Sequence, residues 1–106
     1  MGTWDTKTFE LRGYYLQAPD CVAILCAAEV LAALRGRPSP DLPDEVREWV
    51  GVHRRLDVTP LLAMAIAKVD RVLAAHSELD ELWKENEADY PTWRAGVDDL
   101  RSRLGQ

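Results

Sequence analysis

Residues 25–40 read LCAAEVLAALRGRPSP, and the reading of this stretch decides the fold. Over residues 21–34 nearly every position is Leu, Ala, Val, Ile or Cys, so a helix here is apolar on almost every face. A helix that is apolar all round is a buried helix, and the spacing predicts that this one forms the core. Pro19 suits a first helical position. Gly36 stands where a left-handed C-terminal cap is wanted, with Pro38 just beyond. One residue breaks the pattern, the carboxylate of Glu29.

Outward from that helix the chain continues to read as helical. Pro38, Pro40 and Pro43 make residues 38–43 a stiff extended connector, because proline disfavours both helix and central strand. Asp44 and Glu45 then open a short helix as first-turn acids, with Val46, Trp49 and Val50 as its expected inner face. Thr59-Pro60 reads as an N-cap followed by a first-position proline. From there Leu62, Ile66, Val69 and Leu73 recur at helical spacing, with Lys68 and Arg71 turned outward. Ser77-Glu78-Leu79-Asp80 resembles a capping box and starts a helix through Leu82 and Trp83, supported by Asp80 and Lys84 four residues apart. Tyr90-Pro91 opens a last helix with the stripe Trp93, Val97, Leu100 and Leu104, stopped by Gly105. The N-terminus differs: residues 3–12 (TWDTKTFELR) alternate loosely, as a short extended segment does.

These elements predict an all-α fold. A single small domain spans residues 1–106, with four to five helices in a core over residues 19–104. An irregular or strand-like arm covers residues 1–18. A chain of 106 residues builds one core and not two.

Composition bounds the function. A hydrophobic content of 47% with 29% charged residues is ordinary globular composition. The net charge of −5 argues against a nucleic-acid binder, which needs a basic footprint, and leaves room for a basic partner. Arg35-Gly36-Arg37 and His53-Arg54-Arg55 are short basic clusters diluted by neighbouring acids. No apolar run approaches the roughly 20 residues of a membrane span. The first twenty residues hold Asp5, Glu10 and Asp20 and no apolar run, so no signal peptide is expected. Cys21 and Cys26 lie five apart on one helix, about 140° around its axis and roughly 8–9 Å apart. A disulfide needs Cα atoms within about 7 Å, so the two are not expected to pair, which favours a reducing, cytoplasmic setting.

Several blocks look familiar together: YLQAP at residues 15–19, CAAEVLAALRGRPSPDLPDEVREWV at 26–50, SELDELWKEN at 77–86 and YPTWRAGVDDLRSRL at 90–104. They resemble an uncharacterised bacterial domain-of-unknown-function family over residues 14–104. Members of that family typically open with MGTWG-x-G-x-F-D-N-D and carry AAEV-x-AALRGRPS and SELAELW blocks. Here MGTW stands as Met1 to Trp4, but Asp5 and Lys7 replace the following glycines, and Phe9-Glu10-Leu11 is what remains of the F-D-N-D element. The helical stretch before YLQAP is missing. The resemblance implies an all-α fold and carries no activity to transfer.

Glu29 is the candidate site residue. Its neighbours three and four positions away on the helix are Leu25, Cys26, Ala32 and Ala33, none of which can pair with it. A partner must come from another segment, because a buried unpaired carboxylate is costly. Arg35, Arg37, Arg47, Arg71 and the Trp4 indole are the donors considered. The favoured reading is a tertiary anchor. The alternative is a ligand-binding or enzymatic pocket around Glu29, Arg37 and Trp49.

Other constellations are weak. His53 and His76 lack neighbours at metal-ligand spacing, so no metal is expected. His76 reads as the end of a helix. Ser39 and Ser77 lack a nucleophile setting, and no glycine-rich phosphate loop exists, so no catalytic residue and no cofactor are assigned. Four tryptophans (Trp4, Trp49, Trp83, Trp93) are generous for this length, and tryptophan is frequent among interface hot spots. The acids Glu78, Asp80, Glu81, Glu85, Glu87 and Asp89 read as a solvated face, or as an electrostatic docking surface with Trp83. The leading expectation is a non-enzymatic acidic binding module, such as an inhibitor or immunity-like partner of a basic protein, with Glu78, Glu81 and Trp83 at its surface. A third reading is a degenerate family member without activity. Incomplete cover of the first helix also predicts a homodimer through that helix or through Trp4, Phe9, Leu11, Tyr14 and Tyr15 of the arm.

Overall fold

The computed structural model describes residues 15–105. The expectations placed on residues 1–14, including Trp4, Phe9, Leu11 and Tyr14, lie outside the described residues. Five helices follow one another: α1 (Ala18–Leu34), α2 (Asp44–Val52), α3 (Thr59–Leu73), α4 (Glu78–Lys84) and α5 (Tyr90–Gly105). The fold is all-α, as the periodicity predicts. Among the described residues the single extended pairing is an isolated parallel bridge between Leu16 and Ser77. There the Leu16 amide donates to the His76 carbonyl at 2.7 Å, and the Glu78 amide donates to the Leu16 carbonyl at 2.9 Å.

α1 is the hub and touches all four other helices. It ends where Gly36 places it. Gly36 has φ +90°, its amide donates to the Ala33 carbonyl, and the Arg37 amide donates back to the Ala32 carbonyl. That pair of bonds is a Schellman motif, and it needs a residue free of the Cβ penalty at positive φ. The chain then leaves as the expected proline-rich connector, and α2 begins at Asp44.

The main core joins Ala28 and Ala32 of α1, Ala65 and Val69 of α3, and Val97, Leu100 and Leu104 of α5. Small α1 residues against larger α3 and α5 residues let the helix axes approach closely. Satellite clusters lie at each end of α1. Leu16 and Cys21 pack with Val72, and Ala33 packs with Leu42 and Val50. Because Cys21 meets the end of α3 while Ala28 and Ala32 meet its middle, α1 and α3 run antiparallel.

The incomplete cover expected of α1 takes a definite form, and two local expectations change. α1 is not enclosed: Val22 is 48% exposed, and Ala23, Cys26 and Ala27 also face out. The helices pack on its other faces and leave this one open. Thr59 is the first residue of α3 and not its cap. The Asp57 Oδ1 accepts the Thr59 amide at 3.1 Å, so the turn before the helix is closed by an aspartate. Hydrogen bonds from the Thr59 side chain and amide hold the Asp57 carboxyl below its ordinary range. His76 does not end a helix. α3 stops at Leu73, and His76 sits beyond it in a left-handed turn with φ +66°. Cys21 and Cys26 are both free thiols, the first buried and the second exposed.

Candidate functional site

The anchor reading of Glu29 has a structural counterpart, with a partner the sequence did not nominate. Arg103, on α5, donates from Nη1 to Glu29 Oε1 at 3.0 Å and from Nη2 to Glu29 Oε2 at 3.2 Å. Its Nε donates to Asp99 Oδ2 at 2.8 Å, and Nη1 also donates to the Arg37 carbonyl at 3.1 Å. One planar guanidinium thus joins α1, the turn after α1 and α5, the fork geometry for which arginine is suited. The Glu29 carboxylate is the main reason its guanidinium is held above the ordinary arginine value, against the opposing effect of burial.

Three of the other arginines considered, Arg35, Arg47 and Arg71, donate to main-chain carbonyls. Arg35 donates to the Leu104 carbonyl at the end of α5. Arg47 donates to the Pro40 and Leu42 carbonyls of the connector, and Arg71 to those of Ala75 and His76. The Leu104 carbonyl is one that a helix end leaves without an intrahelical partner, and the others belong to the connector and to the turn after α3.

Glu29 lies where two cavities meet. One, of about 500 Å³, runs toward α5 past Asp41, Trp93, Asp99 and Arg103. The other, of about 400 Å³, runs toward α2 past Cys26, Leu42 and Val46. Glu29, Ser39 and Asp41 border both. The second shares Val30 and Val46 with a shallow depression of about 350 Å³ whose far wall is Trp49. Glu29 and Trp49 are thus linked through shared lining residues, while Arg37 is tied to Glu29 by its main-chain carbonyl, which accepts from Arg103.

Trp49 does not join the inner face of α2. Val50 is buried and Val46 half-buried, which fills the side toward α1, and Trp49 is left 45% exposed. Its ring stacks on His53, four residues on, with centroids 4.0 Å apart, while His53 Nδ1 lies 2.8 Å from the Trp49 carbonyl. Beside it stand Asp44, Glu45 and Glu48, all exposed. These three carboxylates and Asp41 engage no side chain or amide of the described residues. The arginine among them, Arg47, is turned to the connector carbonyls. Sequence reading nominates Trp49 for a pocket but not for this exposed setting beside carboxylates, because periodicity assigns its ring to the inner face of α2.

The α4 acids behave differently from a solvated face. Glu78 Oε1 accepts the Ala18 amide at 2.7 Å, which satisfies a donor at the start of α1. Asp80 is buried, 3% exposed, and accepts the Tyr90 hydroxyl at 2.7 Å. Trp83 stacks on Trp93 with centroids 5.8 Å apart. Glu81 accepts the Tyr15 hydroxyl at 2.9 Å. Glu78, Asp80 and Trp83 thus serve the fold, whereas the carboxylates of α2 and the connector stand in solvent.

The Tyr15–Glu81 bond yields a pH test. Donation to the Glu81 carboxylate, aided by desolvation and by the nearby negative charge, pushes the Tyr15 phenol from 10.0 up to about 12. The folded state favours the neutral phenol, so this contribution to stability is complete below pH 10.0 and lost as pH rises toward 12. Glu81→Ala is expected to return the Tyr15 transition toward pH 10.0, followed by NMR of the ring carbons. An unchanged transition in the variant means the phenol is not held by Glu81.

A family model described as a domain of unknown function (DUF4259) matches residues 9–96. The chain belongs to this family. The matched stretch takes in Glu29, the connector, α2 and α4 and ends in α5 before Asp99 and Arg103. No curated protein and no solved structure matches the chain. Among the described residues, no helix is long and apolar enough to cross a membrane, and no group of three or more His, Cys, Asp or Glu is placed to hold a metal ion.

Proposed function

We propose that this DUF4259 chain is a non-enzymatic binding module for a basic protein, in the manner of a small inhibitor or immunity protein. The observation that carries the reading is the exposed Trp49 with uncommitted Asp44, Glu45 and Glu48 around it and Asp41 on the adjoining connector. Aromatic anchors ringed by charge are where binding energy concentrates, and the carboxylates select a positively charged partner and speed its encounter. The apolar depression between Val30, Val46 and Trp49 takes an aliphatic side chain, while lysines or arginines beside it meet the acids. Glu78, Glu81 and Trp83, nominated from sequence, are secondary here because each already has an internal partner.

The test is affinity capture with wild-type protein, Trp49→Ala and Glu45→Lys/Glu48→Lys, at low and high salt. Wild-type protein is expected to retain a basic protein whose affinity falls with salt. Both variants are expected to retain it tenfold less. Equal retention by the variants, or salt-insensitive binding, removes this surface from consideration.

A second reading, a small-ligand binder, is favoured by the two cavities that meet at Glu29. It is subordinate because Arg103 already neutralises the Glu29 carboxylate through both oxygens, which leaves little charge there to select a ligand.

A further inference from the structure

We infer that the open channel between α1 and α3 is a two-fold self-association surface that receives the same channel of a second copy. The channel has a volume of about 340 Å³, and Lys68 is the one polar side chain on its walls. Its two walls differ in height. The α1 wall presents Ala23 and Ala27, a valley of methyl groups. The α3 wall presents Leu61 and Met64, 46% and 57% exposed, a ridge that stands free of the core. A ridge and a valley side by side on one face are what an isologous contact requires, because rotation about a two-fold axis lays each ridge in the partner's valley.

With the axis along the channel, α1 of one copy faces α3 of the other at the same height. The result is a four-helix layer of two antiparallel pairs. Charge agrees with this axis. Asp20 shares the α1 stripe with Ala23 and Ala27, at spacings of three and seven residues, and lies at the same end of the channel as Lys68. Both are exposed, and neither forms an ion pair with a described residue. The two-fold axis sets Asp20 of each copy against Lys68 of the other. An axis perpendicular to the channel instead sets Lys68 against the apolar end at Leu31 and Leu61.

The exposed apolar surface here is on the order of a few hundred Å², the size at which a patch marks an interaction site. It falls short of the roughly 800 Å² per partner of a standard tight interface, so a weak, concentration-dependent association follows. The face lies apart from Trp49 and its carboxylates, and the two surfaces do not compete.

Sedimentation equilibrium of the full chain from low micromolar to near-millimolar concentration tests the inference. The average mass is expected to rise from 12.0 kDa toward twice that value. Met64→Lys, at a surface position, is expected to hold the protein at the monomer mass with unchanged helical circular dichroism. Asp20→Lys is expected to weaken association at least tenfold, and Asp20→Lys combined with Lys68→Asp to restore it. Trp49→Ala is expected to leave it untouched. A monomer at every concentration overturns the inference, as does a Met64→Lys protein that dimerises like wild type. Failure of the double reversal to restore association overturns the proposed axis.

Discussion

Arg103→Ala is expected to lower the unfolding free energy by about 3 kcal/mol, near the upper range for losing charge-assisted bonds at a partly buried site. Arg103 is 14% exposed and Glu29 30%, so water screens the pair only in part. The substitution leaves the Glu29 carboxylate without its two donors and strips the Arg37 carbonyl of one bond. Asp99, 64% exposed, is rehydrated at little cost. Glu29→Ala is expected to cost less, about 2 kcal/mol, because the stranded Arg103 keeps Asp99 and the Arg37 carbonyl. Arg103→Lys does not rescue, since an ammonium cannot span both carboxylate oxygens and the carbonyl in one plane. Urea unfolding of both single variants and the double variant gives the coupling directly. Expected is a coupling above about 1 kcal/mol, as found for residues in one network. Additive effects, or a loss under half a kcal/mol for Glu29→Ala, show that the pair does not anchor α1 to α5.

That pairing also shows where reading the sequence stops. The need for a partner was legible, because no residue within one turn of Glu29 can donate to its carboxylate. Its identity was not, since Arg103 lies 74 residues away and five other donors were equally available on paper. What discriminates them is the position of helix ends: Arg35, Arg47 and Arg71 are consumed by terminal or connector carbonyls. Local features fared better. The glycine cap at Gly36, the proline connector, the Ser77 cap of α4 and the stripe Val69-centred on α3 depend on neighbours a few residues off, and each forms as read. Trp49 failed for a related reason. Val46 and Val50 suffice to cover the small α1 face they meet, and a nine-residue helix has no room inside for an indole as well. Incomplete cover of α1 was legible from the shortness of its neighbours, but which face stays open, the one with Val22, Ala23, Cys26 and Ala27, depends on where those neighbours pack.

Asp80→Ala is expected to cost about 3 kcal/mol, since it breaks a buried charged cluster while leaving its partners in place. The sequence set Asp80 among surface acids, yet its side chain is 4% exposed and takes partners from both α4 and α5. Its Oδ1 accepts the Tyr90 hydroxyl at 2.7 Å from the first turn of α5. Its Oδ2 lies 3.2 Å from Lys84 Nζ one turn along α4, and Arg94 Nη1 lies 3.6 Å from Oδ1. Arg94 also donates to the Tyr90 hydroxyl at 3.1 Å and to the Leu73 carbonyl at 3.3 Å, which ties the cluster to the end of α3. In addition Asp80 is the third residue of α4, where a negative charge is favoured by the exposed amides of the helix start. Lys84 and Arg94 keep access to water, so their release softens the loss and holds it below the extreme for a fully buried pair. Two controls separate the contributions. Tyr90→Phe removes one hydrogen bond and is expected to cost about 1 kcal/mol. Asp80→Asn keeps an acceptor for the Tyr90 hydroxyl but loses the charge, and falls between the two. Thermal and urea unfolding rank the three variants, with Asp80→Ala the least stable. If Asp80→Ala and Asp80→Asn unfold at the same urea concentration as wild type, the junction of α3, α4 and α5 is held by the Trp83–Trp93 stack and not by this carboxylate.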